Sequence, residues 1–205
     1  MEKQETNRQI TWHSMDITRQ RREEMLHQKA VTVWLTGLSG SGKSTLANAL
    51  EQQLAAKGRH TMLLDGDNVR FGLNKDLGFS PKDRVENIRR IAEVAKLFND
   101  AGLIVLTSFI SPYRKDREAA RGIIGDAFLE VYVSTPLAEC ERRDVKGLYQ
   151  KARKGEIAEF TGITSAYEEP VHPDITIDTS GRRIEDCAEE LLELIEKEEK
   201  ERSAG

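Results

Sequence analysis

Residues 31–50 read VTVWLTGLSGSGKSTLANAL, and this stretch decides the fold. The apolar, β-rich run at 31–36 predicts a buried strand, and residues 43–57 predict a helix. Between them, Gly37 to Ser44 match G-x-x-x-x-G-K-S in the strand-to-helix context that this pattern requires. The sequence therefore predicts a phosphate-binding loop (P-loop) at the start of an α/β domain.

Each part of this loop has a chemical role. The glycines let the backbone wrap closely around phosphate oxygens, and the amides at the helix start carry partial positive charge. Lys43 is predicted to bridge the β- and γ-phosphates of ATP, and the Ser44 hydroxyl to bind Mg²⁺ directly. The alternative, a glycine-rich turn that binds nothing, does not need Lys and Ser after the last glycine. The predicted ATP-binding residues are Gly37, Leu38, Ser39, Gly40, Ser41, Gly42, Lys43, Ser44 and Thr45.

The rest of the chain alternates short apolar runs with amphipathic stretches, a pattern typical of a parallel sheet flanked by helices. Further strands are predicted at 60–64, 103–109, 128–134 and 174–178, which gives a sheet of about five strands. The clearest helix is predicted at 81–101, and another at 182–202. We predict an N-terminal helical arm at 1–30 and one domain at 31–205, with a mobile lid at about 145–173.

Composition excludes several classes of protein. No apolar run approaches the roughly 20 residues that span a bilayer, and the N-terminus does not resemble a secretory signal, so we expect a cytoplasmic protein without membrane contact. The net charge of −4 argues against nucleic acid as a partner. The two cysteines, Cys140 and Cys187, have no Cys or His neighbour at metal-ligand spacing, which indicates reduced thiols.

The loop alone does not say whether the triphosphate is hydrolysed or donated to an acceptor. A GTPase normally carries N-K-x-D and a mechanical ATPase an apolar strand ending in D-E, and neither pattern occurs here. A kinase is therefore favoured.

Asp65 and Asp67 follow the second predicted strand, at the sheet edge where ligands of such folds gather. Asp67 is the predicted base that deprotonates the acceptor hydroxyl and a metal contact, possibly through water, whereas Asp65 is a candidate helix cap or metal-water contact.

The segment that follows is rich in groups that bind an anionic, nucleotide-like acceptor. Guanidinium groups bind phosphate and sulfate bidentately, and an aromatic ring can stack on a planar base. The alternative for each arginine is a solvated helix face, and it is stronger for Arg89 and Arg90 than for Arg70 and Arg84. The segment contains Arg70, Phe79, Arg84, Asn87, Arg89 and Arg90.

Four blocks occur in order along the chain: the loop GLSGSGKST, DGDNVRFGLNKDLGFSPKDRVENIRR (65–90), TSFISPYRKDR (107–117) and DVKGLYQKARKGEIAEFTGI (144–163). Together they resemble adenylylsulfate kinase, which phosphorylates the 3′-hydroxyl of adenosine 5′-phosphosulfate (APS) to give PAPS in sulfate assimilation. The resemblance extends to Trp12 and His13 in the arm and to the DTS turn (178–180). It implies a P-loop NTPase fold of the nucleotide-kinase type. It also implies that Asp65, Arg70, Arg84, Asn87 and the backbone near Ile110 lie at the APS site, and that Phe79 and Phe160 sandwich the adenine.

The resemblance further implies a phosphoserine at Ser111. No base adjoins Ser111 in the sequence, which favours direct in-line transfer to the acceptor, and Ser111 followed by Pro112 also has the pattern of a helix N-cap. In the lid, Lys146 is the main candidate among Lys146, Lys151, Arg153 and Lys154 for closing over the phosphates. Gln150, where the family pattern has Lys, and residues 165–174 depart from that pattern.

The leading hypothesis is thus phosphoryl transfer from MgATP to APS. Two alternatives stay open at this point: another small-molecule P-loop kinase, and a non-catalytic nucleotide-binding scaffold. The helical arm and the C-terminal helix are candidates for packing a homodimer, and ATP sulfurylase is a possible associated protein.

Overall fold

The computed structural model describes residue 11 and residues 13–204, and a parallel five-stranded sheet lies at its centre. The strands are β1 Thr32–Thr36, β2 Thr61–Asp65, β3 Ile104–Ser108, β4 Phe128–Val133 and β5 Ile175–Ile177. They are hydrogen-bonded in the order β2-β3-β1-β4-β5, and every pairing is parallel. The predicted fold class is therefore confirmed, with each of the five strands where the sequence indicated.

Helices connect and cover the strands. They are α1 Arg19–Leu26, α2 Lys43–Ala56, α3 Asn68–Phe71, α4 Pro81–Asp100, α5 Arg114–Ile124, α6 Leu137–Arg143, α7 Leu148–Arg153 and α8 Ile184–Ala204. The start of α4 follows the capping rules, because the Ser80 side chain accepts a hydrogen bond from the Asp83 amide and Pro81 occupies the first turn.

The sheet is buried on both faces, and β1 shows how the alternation of side chains produces this. Val33 and Leu35 belong to the core between the sheet and helices α2 and α8, where Leu50 and Leu191 are also buried. Trp34 points to the opposite face, into the core formed with α4 and α5. Because successive side chains of a strand alternate between faces, a strand buried on both sides is mostly apolar and β-branched, as the sequence VTVWLT indicates.

The α1 helix lies at the end of the sheet opposite the P-loop. Arg22 donates a hydrogen bond to the carbonyl of Asp100 at the end of α4. The Gln28 amide donates to the carbonyls of His60 and Gly102, which precede β2 and β3. Of the predicted arm at 1–30, residues 1–10 and Trp12 lie outside the described residues, and the division into arm and domain stays a prediction.

In the part of the chain that the structure describes, none of the helices combines the length and apolar character needed to cross a bilayer. Cys140 and Cys187 are both buried and unbridged. Across these same residues, no group of three or more His, Cys, Asp or Glu side chains has the arrangement of a metal cage.

Candidate active site

The P-loop connects β1 to α2, and its backbone conformation requires glycine. Gly37, Gly40 and Gly42 have φ values of 147°, 75° and 99°, in the region that side-chain-bearing residues rarely adopt. At Gly37 a Cβ atom would also lie 2.5 Å from the carbonyl oxygen of Val133. The loop can therefore pass close to the end of β4 only without a side chain at this position.

Lys43, the first residue of α2, turns its side chain into the loop. Its Nζ donates hydrogen bonds to the carbonyls of Gly37 at 2.9 Å and Leu38 at 2.7 Å. Burial lowers the pKa of Lys43 to about 8, because leaving water disfavours the charged ammonium, while the nearby Asp65 acts in the opposite direction. An ammonium held among backbone carbonyls and amides is suited to receive phosphate oxygens.

Ser44 joins the P-loop to the end of β2. Its hydroxyl donates to the Asp65 carboxylate at 2.8 Å and lies 2.9 Å from the Ser108 hydroxyl. The other Asp65 oxygen accepts from the amides of Asp67 and Asn68. Asp65 thus stabilises the turn before α3 and adjoins the serine of the P-loop, and its predicted metal-water contact stays a prediction.

Asp67 takes the N-cap position of α3, but its side chain makes no capping hydrogen bond there. Instead, the carboxylate forms an ion pair with Lys146. The Asp67 side chain therefore does not cap α3, because Asp65 supplies the turn with its acceptor. The contact also brings a lid residue to Asp67, just beyond the end of β2 and 79 positions earlier in the chain.

Arg70 and Phe79 face each other beside this turn. The Arg70 guanidinium lies 4.5 Å from the centre of the Phe79 ring and donates to the carbonyls of Leu77 and Gly78. Burial lowers the pKa of Arg70, although Asp83 acts against that shift. Phe79 is 70% exposed, so one ring face stacks on the arginine and much of the rest is available to a ligand.

Arg84 connects the backbone of Phe79 to the segment around Phe160, the two aromatic residues predicted to bind adenine. Its guanidinium donates to the carbonyl of Phe79 at 2.9 Å, to the Thr161 hydroxyl at 3.2 Å and to the carbonyl of Glu159. Since Glu159 and Thr161 flank Phe160, this one side chain ties the start of α4 to the lid.

Asn87 is buried on α4 and is oriented by a residue that the sequence did not single out. Asn74 donates its side-chain amide to the Asn87 carbonyl oxygen at 2.9 Å. This contact fixes which side of the Asn87 amide carries the oxygen, so its NH₂ group, a donor suited to an anionic or carbonyl acceptor, lies on the other side.

A model of the family described as adenylylsulphate kinase matches residues 29–178. The probable adenylyl-sulfate kinase of Halalkalibacterium halodurans is 55% identical over 191 residues, which cover 93% of this chain and 95% of the relative. The adenylyl-sulfate kinase of Aeromonas salmonicida is 59% identical, with 89% and 94% covered. The chain belongs to the adenylylsulfate kinase family. The structure of the Mycobacterium tuberculosis APS kinase in complex with AMPPNP and APS superposes with a TM-score of 0.79 at 52% identity, covering 82% of this chain and 99% of that one.

The segment predicted to be a mobile lid has defined local structure. It contains α7, whose first amides, those of Tyr149 and Gln150, are capped by the Asp144 carboxylate at 3.0 Å each. Farther on, Tyr167 stacks on Tyr132 and shares a 2.9 Å hydrogen bond with Thr36 at the end of β1. The predicted lid at 145–173 is therefore anchored to the sheet in its second half.

Phe160 lies in this segment and is only 8% exposed. It packs edge-on against Tyr149 in a small core with Cys140 and Leu38. The adenine sandwich between Phe79 and Phe160, which the adenylylsulfate kinase family implies, stays a prediction. In this structure the two rings differ sharply in exposure.

Ser111 is not the N-cap of the following helix. That helix, α5, starts at Arg114 with Tyr113 at the cap, and Ser111 has the left-handed φ of 39°. Its hydroxyl, in a side chain only 2% exposed, accepts from the Trp34 indole at 3.0 Å and donates to the Phe109 carbonyl at 3.3 Å. The N-cap alternative is wrong because the chain turns sharply at Ser111 before the helix begins.

Other predicted residues have simple placements. The Ile110 carbonyl accepts from the Thr36 hydroxyl at 2.7 Å, which fixes the backbone beside the P-loop. Arg89 and Arg90 form ion pairs with Glu86 on α4, as the solvated-face alternative described, and Arg153 pairs with Glu141.

Sequence reasoning missed the residues that hold the P-loop from outside. The hydroxyls of Thr135 and Thr179 both donate to the Ser41 carbonyl, at 3.0 and 2.9 Å. Arg143 donates to the Thr179 hydroxyl at 2.9 Å. Only the family-like DTS turn, which contains Thr179, offered a signal for any of them.

Proposed function

We propose that this chain transfers the γ-phosphoryl group of MgATP to the 3′-hydroxyl of APS, giving PAPS and ADP. The main support for the proposal is that the ATP-binding loop and the predicted acceptor-binding segment meet in a member of the adenylylsulfate kinase family. Ser44 of the P-loop bonds to Asp65, and two residues beyond it Asp67 opens the segment that contains Arg70 and Phe79.

On the donor side, the P-loop amides and Lys43 hold the triphosphate. The Ser44 hydroxyl and the Asp65 carboxylate form a pair of hard oxygen donors, which suits Mg²⁺, an ion that proteins usually hold through one or two carboxylates together with substrate phosphates. When bound, Mg²⁺ neutralises charge on the phosphate oxygens. Because Asp65 bonds to Ser44 whereas Asp67 pairs with Lys146, Ser44 and Asp65 would hold Mg²⁺ directly, and Asp67 would contact it through water.

On the acceptor side, Arg70, Arg84 and Asn87 present donors to the phosphosulfate, and Phe79 presents a ring face to the adenine. The oxygen of the 3′-hydroxyl bonds to the γ-phosphorus, and Asp67 accepts the proton of that hydroxyl. The bond from that phosphorus to the β-γ bridging oxygen breaks, and ADP leaves with the electron pair.

Transfer is direct and does not pass through Ser111. A serine nucleophile needs a base to take its proton, and the two partners of the Ser111 hydroxyl are an indole N–H and a backbone carbonyl. Neither group accepts a proton. The positions of these partners support a structural role for Ser111 beside the P-loop.

Lys146 closes the lid over the site by its ion pair with Asp67. A closed lid excludes water, which would otherwise compete with APS for the phosphoryl group. The lid as a mobile element, a homodimeric assembly, association with ATP sulfurylase and a cytoplasmic location are further parts of the proposal.

The test is a coupled assay of purified protein with MgATP and APS. We expect ADP and PAPS in equal amounts, and no acceptor-dependent ADP with gluconate or nucleosides. A Lys43→Met variant serves as the inactive control. If the wild-type protein binds ATP but forms no ADP in response to APS, the proposed reaction is wrong.

A further inference from the structure

One contact joins the lid directly to the phosphate cradle. Tyr149, in the first turns of α7, donates its hydroxyl to the carbonyl of Ser39 at 2.8 Å. The side chain is only 3% exposed and packs with Leu38 and Cys140 on the outer side of the loop. Burial raises the pKa of Tyr149, so the phenol stays protonated and remains a donor throughout the neutral pH range.

This hydrogen bond orients a peptide of the P-loop. The Ser39–Gly40 peptide is planar and trans, so its carbonyl and its N–H point in opposite directions. With the Ser39 carbonyl held toward Tyr149 on the outer side, the Gly40 N–H of the same peptide would be directed to the opposite, inner side, where the loop is proposed to hold the phosphates. Gly40 has φ of 75°, and glycine has little conformational preference of its own, so contacts from outside the loop help to fix this direction. Arg143 adds a longer one, at 3.4 Å to the Gly40 carbonyl.

The same tyrosine also contacts the acceptor side. Its ring meets the Phe160 ring edge-on, with the ring centres 4.9 Å apart and the planes at 79°. The segment around Phe160 is held by Arg84, which also binds the Phe79 backbone. A physical chain of contacts therefore runs from Arg84 through Phe160 and Tyr149 to the Ser39 carbonyl.

We propose that Tyr149 is a positioning residue that couples occupancy of the acceptor site to the orientation of the P-loop amides. An acceptor seated beside Phe160 steadies the Phe160–Tyr149 pair, and the Tyr149 hydroxyl then holds the Gly40 N–H toward the phosphates. Coupling of this kind is reciprocal, so the nucleotide also strengthens acceptor binding. The inference rests on the proposed function for the identity of the acceptor, APS, and for its position beside Phe160.

The test compares the wild-type protein with Tyr149→Phe, which keeps the ring against Phe160 and removes only the hydroxyl. Calorimetry measures the Kd of AMPPNP with Mg²⁺, first alone and then with saturating APS. In the wild type we expect APS to lower the Kd of AMPPNP about fivefold, at the lower end of typical coupling between two sites. In Tyr149→Phe we expect the Kd of AMPPNP alone to rise about tenfold. We also expect APS to leave that Kd nearly unchanged.

The matched control is Tyr132→Phe, which removes a phenol hydroxyl from β4, where the ring stacks on Tyr167. This variant should keep both the AMPPNP affinity and the APS effect, and the midpoint of thermal unfolding is recorded for all three proteins. A purely structural role for Tyr149 would lower that midpoint without changing either binding quantity.

Two results overturn the proposal: an unchanged AMPPNP affinity in Tyr149→Phe, or a weakened affinity with the full APS effect retained. Failure of the wild type to bind APS is a different result, because it contradicts the proposed function. In that case the AMPPNP measurement without APS still decides whether Tyr149 positions the cradle.

Discussion

Replacing Ser111 by alanine separates its structural role from a covalent one. The change removes only the hydroxyl, and since both residues carry a Cβ, the strain of the left-handed backbone at φ 39° stays the same. The change removes the acceptor of the Trp34 indole N–H. Both residues are buried, with Trp34 0% and Ser111 2% exposed.

The size of the effect follows from the unpaired donor. A buried N–H left without a partner costs about 1–3 kcal/mol of folding free energy. For a chain of this length, each 1 kcal/mol lowers the unfolding midpoint by about 2–4 °C, so we expect a decrease of about 2–12 °C. The second hydrogen bond, at 3.3 Å to the Phe109 carbonyl, is longer and contributes less.

Activity, in contrast, should survive. Measured at a temperature well below both unfolding transitions, the kcat for APS-dependent ADP formation should stay within about tenfold of the wild type, a difference of no more than about 1.4 kcal/mol in the activation barrier. The control is Thr32→Val, which removes a buried hydroxyl that donates to Asn99 at 2.6 Å near the opposite end of β1. Both variants should lose stability and keep activity.

The result that refutes this reasoning is a Ser111→Ala protein that is folded and binds APS normally, yet has a kcat at least a thousandfold lower. Such a loss would mean that the hydroxyl takes part in the reaction. Detection of phosphate on Ser111 during turnover of the wild type would lead to the same conclusion.

Three other variants or conditions test the remaining roles. Asp67→Asn should lower kcat by about 10²–10⁴ in steady-state assays with little change in APS affinity, because it removes the base, and near-normal turnover would exclude that role. Lys146→Ala should change stability by less than about 1 kcal/mol, as its ion pair is exposed, but should raise the ratio of ADP to PAPS formed above one; a ratio of one would contradict closure by Lys146. Because burial lowers the pKa of Lys43 to about 8, raising the pH from 7 to 9 neutralises this ammonium and should weaken AMPPNP binding about tenfold, with proton uptake in calorimetry at pH 9. Lys43→Met should remove this pH dependence, and an unchanged wild-type affinity at pH 9 would show that Lys43 remains charged.

The P-loop and the five strands could be predicted because their signals are local. The glycine spacing of residues 37–44 reflects backbone conformations that only glycine adopts readily, and a strand buried on both faces is mostly apolar along its whole length. The family and its reaction followed from motifs of this kind in the right order. The pairing of Ser44 with Asp65 was also foreseeable, since parallel strands bring their carboxyl ends to one edge.

Other features depended on residues that are distant in the sequence. Thr135 and Thr179 meet at the Ser41 carbonyl across 94 and 138 positions, and Tyr149 reaches Ser39 across 110. A single hydroxyl carries no periodic pattern, so nothing in the sequence marks it as a partner of the loop. The error at Ser111 has a similar origin, because the pair Ser-Pro is locally compatible with a helix cap. Its left-handed turn is held by residues distant in the sequence, since Trp34 bonds to its hydroxyl and Thr36 to its carbonyl.

The sequence by itself thus determined the fold, the family and the place of the P-loop between β1 and α2, because each is encoded in short stretches with strong local preferences. Tertiary structure alone decided which side chains hold the cradle in place and how the lid reaches it. Those contacts arise only when separate elements pack together, so the direction of a hydroxyl toward a carbonyl is fixed by the whole molecule.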